Sequence, residues 1–197
     1  MLKNELSLPG ISNARELGGY PAGNRYIKNG VLIRSGSLSD ASPEAVQTLR
    51  EKYNLRHIVD FRMKSRTASA PAPEITGAFN THLPVMETED FLSGLDDTGI
   101  AEKFFTGSLS METVYKIAFQ KGLLGPEMYI GFLLGERGKK AYREFFRILA
   151  EHDPEKGAVL WHCDDGKDRA GIAAMLLLSA LGADRTVIID DYLLTNE

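Results

Sequence analysis

Two periodicities meet near the end of the chain. Ala158-Val159-Leu160-Trp161 is an unbroken apolar run with the length and branching of a buried strand, entered from the turn-like Asp153-Pro154-Glu155-Lys156-Gly157. From 169 to 181 apolar residues recur at helical spacing, and Gly182 marks the stop. Earlier, Ser42-Pro43-Glu44 supplies an N-cap, a proline at the first helical position and an early acid. Ala45, Val46, Leu49 and Tyr53 give that helix a buried face, and Asn54 ends it. Residues 55–61 mix β-branched and apolar types and predict a central strand, so the strand–helix–strand crossover makes the sheet at least partly parallel.

The flanking segments complete an α/β pattern. Residues 11–39 are extended and turn-rich, with Gly18-Gly19, Gly23-Asn24 and Asn29-Gly30 between short strands such as Val31-Leu32-Ile33. They predict a small antiparallel element at the sheet's edge. Residues 79–85 read as another strand. Residues 139–152 read as a helix that packs Tyr142, Phe145, Phe146 and Leu149 on the sheet. Between them, 87–126 is a long connection with helical patches at Asp90-Phe91-Leu92, Glu102-Lys103-Phe104-Phe105 and 113–119. A connection of that length inside a domain predicts a lid or binding loop. A last helical pattern carries Val187, Ile188, Tyr192 and Leu194 with no glycine or proline stop before Glu197.

Composition narrows the class. A chain of 197 residues, 43% hydrophobic and 25% charged, is expected to form one globular domain. No run of 18 apolar residues predicts a transmembrane segment, and no leader precedes the first turn. A cytoplasmic location is the default, with secretion open if a signal was removed. The formal charge of −4 argues against a nucleic-acid surface, so any attraction for phosphate must be local.

The candidate chemistry lies where the strand meets the helix, in Trp161-His162-Cys163-Asp164-Asp165-Gly166-Lys167-Asp168-Arg169-Ala170-Gly171, which holds the chain's one cysteine. A strand's carboxyl end feeding a helix's amino end offers unpaired N–H groups and a favourable dipole to an anion. Five residues separate Cys163 from Arg169, room for the backbone to curl round a tetrahedral oxyanion with the sulfur beneath it. The helix end, Lys167 and Arg169 favour a thiolate, and the arginine's planar fork suits two phosphate oxygens. Gly166 permits close backbone approach, and Gly171 permits close helix packing.

Competing loops fit less well. A nucleotide-binding loop needs a glycine where Trp161 stands and a hydroxyl where Asp168 stands. Dithiol and cysteine-metal chemistry need a second cysteine. A sulfur-transferase loop is typically one residue shorter, and a merely buried cysteine leaves Gly166, Arg169 and the loop's polarity without a reason.

His162-Cys163 followed after five residues by Arg169 resembles the loop of the cysteine-dependent tyrosine phosphatase superfamily. Gly166-Lys167-Asp168-Arg169 resembles more narrowly its bacterial tyrosine-phosphatase-like branch. Asn13-Ala14-Arg15-Glu16-Leu17-Gly18-Gly19-Tyr20, Leu32-Ile33-Arg34-Ser35-Gly36-Ser37-Leu38, Ile58-Val59-Asp60-Phe61-Arg62 and Asp191-Tyr192-Leu193-Leu194 extend the resemblance over nearly the whole chain. It implies a central, mostly parallel twisted sheet flanked by helices, with a helical lid. It also implies a metal-independent, cofactor-free phosphomonoesterase whose partners are phosphorylated proteins or phosphoinositides. Cys163 is then the nucleophile and Arg169 the phosphate clamp. Asp164, Asp165, Gly166, Lys167 and Ala170 are the remaining phosphate-binding loop.

Asp60 and Arg62 fall at a strand's carboxyl end, where they serve either as site residues or as a pair that fixes the following loop, and they join Arg15 and Arg34 as expected neighbours of the site. Where the resembling family carries a glutamate, this chain reads Lys64-Ser65-Arg66-Thr67. With no Trp-Pro-Asp stretch, Asp168 is the expected general acid, its alternative role being a helix N-cap. Failing it, Asp90, Asp96 and Asp97 of the lid are the candidates. Asp164 and Asp165 replace small or hydroxyl residues and are expected to turn outward at the rim. The competing functional reading is a silent, phosphate-binding pseudoenzyme.

Overall fold

The computed structural model describes residues 4–93, 95, 99–122 and 124–196. The chain opens with short strands β1 (Arg15–Glu16), β2 (Pro21–Ala22), β3 (Arg25–Tyr26) and β4 (Leu32–Ser35). β2 and β3 form a separate two-stranded ribbon, while β1 pairs antiparallel with β4, Arg15 opposite Arg34. Helix α1 (Pro43–Glu51) starts as its sequence requires. Ser42 Oγ accepts the Ala45 amide at 3.1 Å, and Pro43 takes a position that needs no N–H. It carries the chain across to β5 (His57–Asp60), short helix α2 (Lys64–Ser69) and β6 (Phe79–His82). Then come α3 (Thr88–Ser93), α4 (Ile100–Phe105), α5 (Met111–Gln120), α6 (Pro126–Leu134) and α7 (Glu136–Glu151). The chain closes with β7 (Val159–His162), α8 (Arg169–Ala180) and α9 (Arg185–Leu193).

The main sheet runs β1-β4-β7-β5-β6, with all pairs parallel except β1–β4. The α1 crossover leaves a gap between β4 and β5 that β7 fills more than a hundred positions later, so the strand leading to Cys163 is the central one. Two expectations shift accordingly. β5 lies beside the centre rather than at it, and the antiparallel edge is β1 with Glu5 bridged to its outer side, while β4 is drawn inside by pairing with β7.

Side-chain alternation splits the core between two faces. Ile33, Ile58 and Leu160 face α1 with Leu38, Ala45 and Leu49; Val59, Phe61 and Trp161 face α7 and α8 with Phe145, Ala173 and Leu177. Trp161 is fully buried, and its ring meets Phe145 edge-on at 5.3 Å. Burying an indole contributes roughly 4–6 kcal/mol as an upper figure, which fixes β7 firmly against α7. Helix α7 begins three residues before its expected start. Helices α2 and α6, which the sequence pattern does not announce, flank the loop that follows β7. Segment 87–126 builds a third apolar cluster from Leu92, Leu95, Ile100, Val114 and Ala118, apart from the two sheet faces.

Candidate active site

The geometry of the loop after β7 follows from where its carbonyls go. Ser37 N donates to Asp164 O at 2.8 Å, Asn13 Nδ2 to Asp165 O at 2.9 Å, and Arg34 Nη2 to Gly166 O at 2.7 Å and Lys167 O at 3.4 Å. With the carbonyls pulled outward, the amides of 164–169 find no acceptor among the described residues. Gly166 makes the curl possible. Its φ is +68°, and a Cβ there would sit 2.5 Å from the backbone of Ser35 and Gly36. Behind the loop, Tyr142 Oη donates to Arg169 O and Trp161 Nε1 to Ala170 O, each at 3.1 Å, pinning the start of α8 to the core. Cys163 is buried at the floor of this curl. Burial, then the charge of Cys163, pushes the Tyr142 phenol well above its ordinary pKa, so it stays a neutral donor.

Arg169 is the cation of the curl. Its Nε and Nη1 are buried without an acceptor among the described residues, a costly state unless an anion meets them. Its Nη2 donates to Asp164 Oδ2 at 2.8 Å, and Arg66 Nε holds the other carboxylate oxygen at 3.0 Å. Asp164 therefore turns inward, contrary to the outward orientation expected of it, because Arg66 on α2 and Arg169 on α8 bracket it. Burial works against the Asp164 carboxylate, but Arg169 and Arg66 leave its pKa below the usual range. Burial likewise opposes the Arg169 charge, while Cys163 and Asp164 raise its pKa above the ordinary value. The Phe132 ring of α6 lies 5.9 Å from the guanidinium carbon. Asp165 is exposed and Lys167 partly buried at the rim.

Three residues expected to bind phosphate lie inside the protein instead. Arg15 is 3% exposed and gives its guanidinium to Asp191, Asn13 and Thr195. Asp60 and Arg62, each 1% exposed, pair with one another at 2.8 Å, and Arg62 also donates to Ser37 Oγ and Ala70 O. Their side chains are spent on internal partners and reach the site only through the loops they fix. Arg34 is likewise fully buried and paired with Asp191, yet it grips the loop carbonyls directly. Asp191 of α9 thus joins two buried arginines and Tyr20, whose hydroxyl donates to it at 3.1 Å. Beneath the loop, burial pushes His162 below its ordinary pKa despite Asp60 at 3.7 Å, so the imidazole is neutral.

Asp168 occupies the N-cap position of α8 but makes no side-chain capping bond. Its Oδ1 accepts from Tyr129 Oη of α6, and Tyr129 Oη lies 3.0 Å from Tyr192 Oη of α9. Asp90 is tied to Arg137 and to the Glu87 amide; burial raises its pKa, but these bonds outweigh it and hold the carboxyl below its usual range. Asp96 and Asp97 lie outside the described residues. Among the described residues, no three His, Cys, Asp or Glu side chains come together as a metal site, and no helix is long and apolar enough to cross a membrane. Tyr129 and Phe132 are the site neighbours that sequence reasoning missed. Asp191 lies in a stretch that carries the family resemblance, and Tyr192 lies both there and in the last helical pattern.

Comparison with known proteins bears on this arrangement. The sequence model described as the tyrosine phosphatase family matches residues 6–197. The chain belongs to the tyrosine phosphatase family. A Cupriavidus necator protein that carries a tyrosine-protein phosphatase name is 31% identical over 198 residues, covering 99% of this chain and 64% of its own length. The triple specificity protein phosphatase PtpB of Mycobacterium tuberculosis is 28% identical over 199 residues, covering 96% of this chain and 68% of its own. A tyrosine-protein phosphatase of Nostoc commune is 29% identical over 157 residues, with 80% and 44% coverage. The chain thus spans about two thirds or less of these relatives. In this family member the sheet, the curl below α8 and the Cys163–Arg169 spacing share one fold, the cysteine-phosphatase fold.

Proposed function

We propose that this chain hydrolyses phosphomonoesters without a metal, through a phosphocysteine. The observation that carries the reading is the pairing of a cysteine at the floor of an outward-turned loop with an arginine whose Nε and Nη1 have no acceptor among the described residues. In this reading the Cys163 thiolate attacks phosphorus in line with the leaving oxygen, and the phosphorus–oxygen bond breaks as the sulfur–phosphorus bond forms. Arg169 and the loop amides hold the equatorial oxygens as charge shifts onto them. Asp168 gives its proton to the departing oxygen. Its carboxylate then takes a proton from water as that water displaces the sulfur, releasing phosphate and restoring the thiolate.

Phosphotyrosine is the proposed primary substrate. The name of the Mycobacterium tuberculosis relative supports a wider range, and Lys167 at the rim offers a second cation to a phosphoinositide headgroup. Segment 87–126, with its own apolar cluster, is read as a lid over the loop. A second reading, a silent phosphate-binding module, draws on the Asp164 carboxylate that occupies one arm of Arg169.

Hydrolysis of p-nitrophenyl phosphate in EDTA, compared between wild type and Cys163→Ser, separates the readings. The proposal expects turnover by wild type and loss of at least about a thousandfold in the variant. Equal rates contradict the thiol mechanism. Phosphate binding without turnover in wild type establishes the silent module.

A further inference from the structure

Helix α6 touches the loop twice from adjacent turns. Tyr129 and Phe132 stand three positions apart on one helix face, which aims them at neighbouring targets. Phe132 lies under the Arg169 guanidinium, and Tyr129 donates to Asp168 Oδ1. Their rings meet at 6.3 Å and 73°, so each limits the other's rotation. Tyr192, arriving from α9, meets the Tyr129 hydroxyl at 3.0 Å and closes a chain of two phenols and a carboxylate. Burial first, then the hydrogen bonds with Asp168 and Tyr192, pushes Tyr129 well above its ordinary pKa, so the phenol remains a donor.

We infer that Tyr129 is a positioning residue for the leaving-group proton, with Tyr192 orienting its hydroxyl. The inference rests on the reading of Asp168 as general acid. Asp168 Oδ1 is taken by Tyr129, while Oδ2 meets no donor among the described residues. The two oxygens therefore divide the work. Oδ1 accepts the phenol's hydrogen bond whether or not the carboxyl is protonated, and Oδ2 is left to carry the proton to the leaving oxygen and later to take one from water. Without the phenol the carboxyl rotates about its own bond, and the protonated oxygen spends only part of its time facing substrate. The absence of a side-chain capping bond at Asp168 fits this division, because a capping carboxylate would spend an oxygen on α8 instead.

The test compares kcat and KM for phenyl phosphate and p-nitrophenyl phosphate in wild type, Tyr129→Phe, Tyr192→Phe, Asp168→Asn and the Tyr129→Phe/Asp168→Asn double variant, with melting temperatures alongside. The ring-preserving Tyr129→Phe should lower kcat for phenyl phosphate roughly tenfold, leave p-nitrophenyl phosphate nearly unchanged, and leave both KM values in place. Tyr192→Phe should act in the same direction and less strongly. On the Asp168→Asn background, Tyr129→Phe should cost nothing further.

Equal loss on both substrates, or a change confined to KM, overturns the positioning role while Asp168→Asn still discriminates between the substrates. If Asp168→Asn itself fails to discriminate, the acid assignment falls, and the inference built on it falls with it. Should Tyr129→Phe unfold, Tyr192→Phe read in the same two substrates decides the matter by the same criterion.

Discussion

The Asp164 carboxylate holds Arg169 Nη2 at 2.8 Å, so the protein's own acid occupies one of the donors that a phosphate needs. A bidentate grip on phosphate requires Asp164 to yield that donor or share it. Asp164→Ala removes both the competitor and a negative charge beside the dianion. Both side chains of this ion pair are largely shielded from solvent, and a hydrogen bond to a charged group is worth about 1.5–3 kcal/mol, or roughly tenfold to a hundredfold in binding. KM for p-nitrophenyl phosphate and the inhibition constant of inorganic phosphate should both fall within that range, and Asp164→Asn should give part of the effect. Weaker phosphate binding in Asp164→Ala would mean that the carboxylate orders Arg169 rather than competing for it.

Gly166 fails as any other residue for two reasons. Its φ of +68° disfavours a side chain, and a Cβ would press within 2.6 Å of three backbone atoms of Ser35 and Gly36. Because those atoms belong to backbone, nothing flexible yields. Gly166→Ala should lower stability by more than about 1 kcal/mol and abolish phosphate binding in the protein that still folds. Urea unfolding and a phosphate titration check the two halves separately.

The Asp191 carboxylate compensates two buried guanidinium groups from β1 and β4. Burial pushes Arg34 below its ordinary pKa in spite of Asp191, which shows how strongly the site disfavours an unpaired cation. Asp191→Ala should cost about 3–5 kcal/mol in urea unfolding. Turnover should drop as well, since Arg34 carries the Gly166 and Lys167 carbonyls. A loss below about 1 kcal/mol would contradict this account of the cluster.

Acid should weaken the fold through His162. Its folded pKa lies below the ordinary value of 6.5, so the unfolded chain binds the extra proton first as pH falls. Stability contributed by the neutral imidazole is full above the unfolded pKa and declines below it, by about 1.4 kcal/mol per pH unit, until the folded pKa is reached. Burial, His152 and Arg147 lower His57 in the same direction. Between pH 7 and 5, His162→Gln should therefore lose less melting temperature than wild type. Parallel curves would show that His162 is not a source of the acid sensitivity.

The strand, loop and helix around Cys163 are legible in the sequence because they are local: an apolar run, a glycine, an arginine separated from the cysteine by five residues, and a change of period. What the sequence hides depends on distant partners. The inward turn of Asp164 requires Arg66, 98 positions earlier in the chain, and the burial of Arg15 requires Asp191, 176 positions later. Helix α6 escapes pattern reading because Met128-Tyr129-Ile130-Gly131-Phe132-Leu133-Leu134 is apolar on every side and shows no polar face to set a period. The interior place of β4 is hidden until β7 pairs with it.

The central claim is that the phosphoryl group passes through the sulfur of Cys163. Rapid acid quench during turnover of p-nitrophenyl phosphate, followed by mass analysis of the peptide that contains Cys163, tests it most directly. The account predicts a fraction of that peptide heavier by one phosphoryl group, absent in Cys163→Ser and increased in Asp168→Asn, where hydrolysis of the intermediate lacks its base. Full turnover with no phosphoryl group on Cys163 in either wild type or Asp168→Asn would contradict the account.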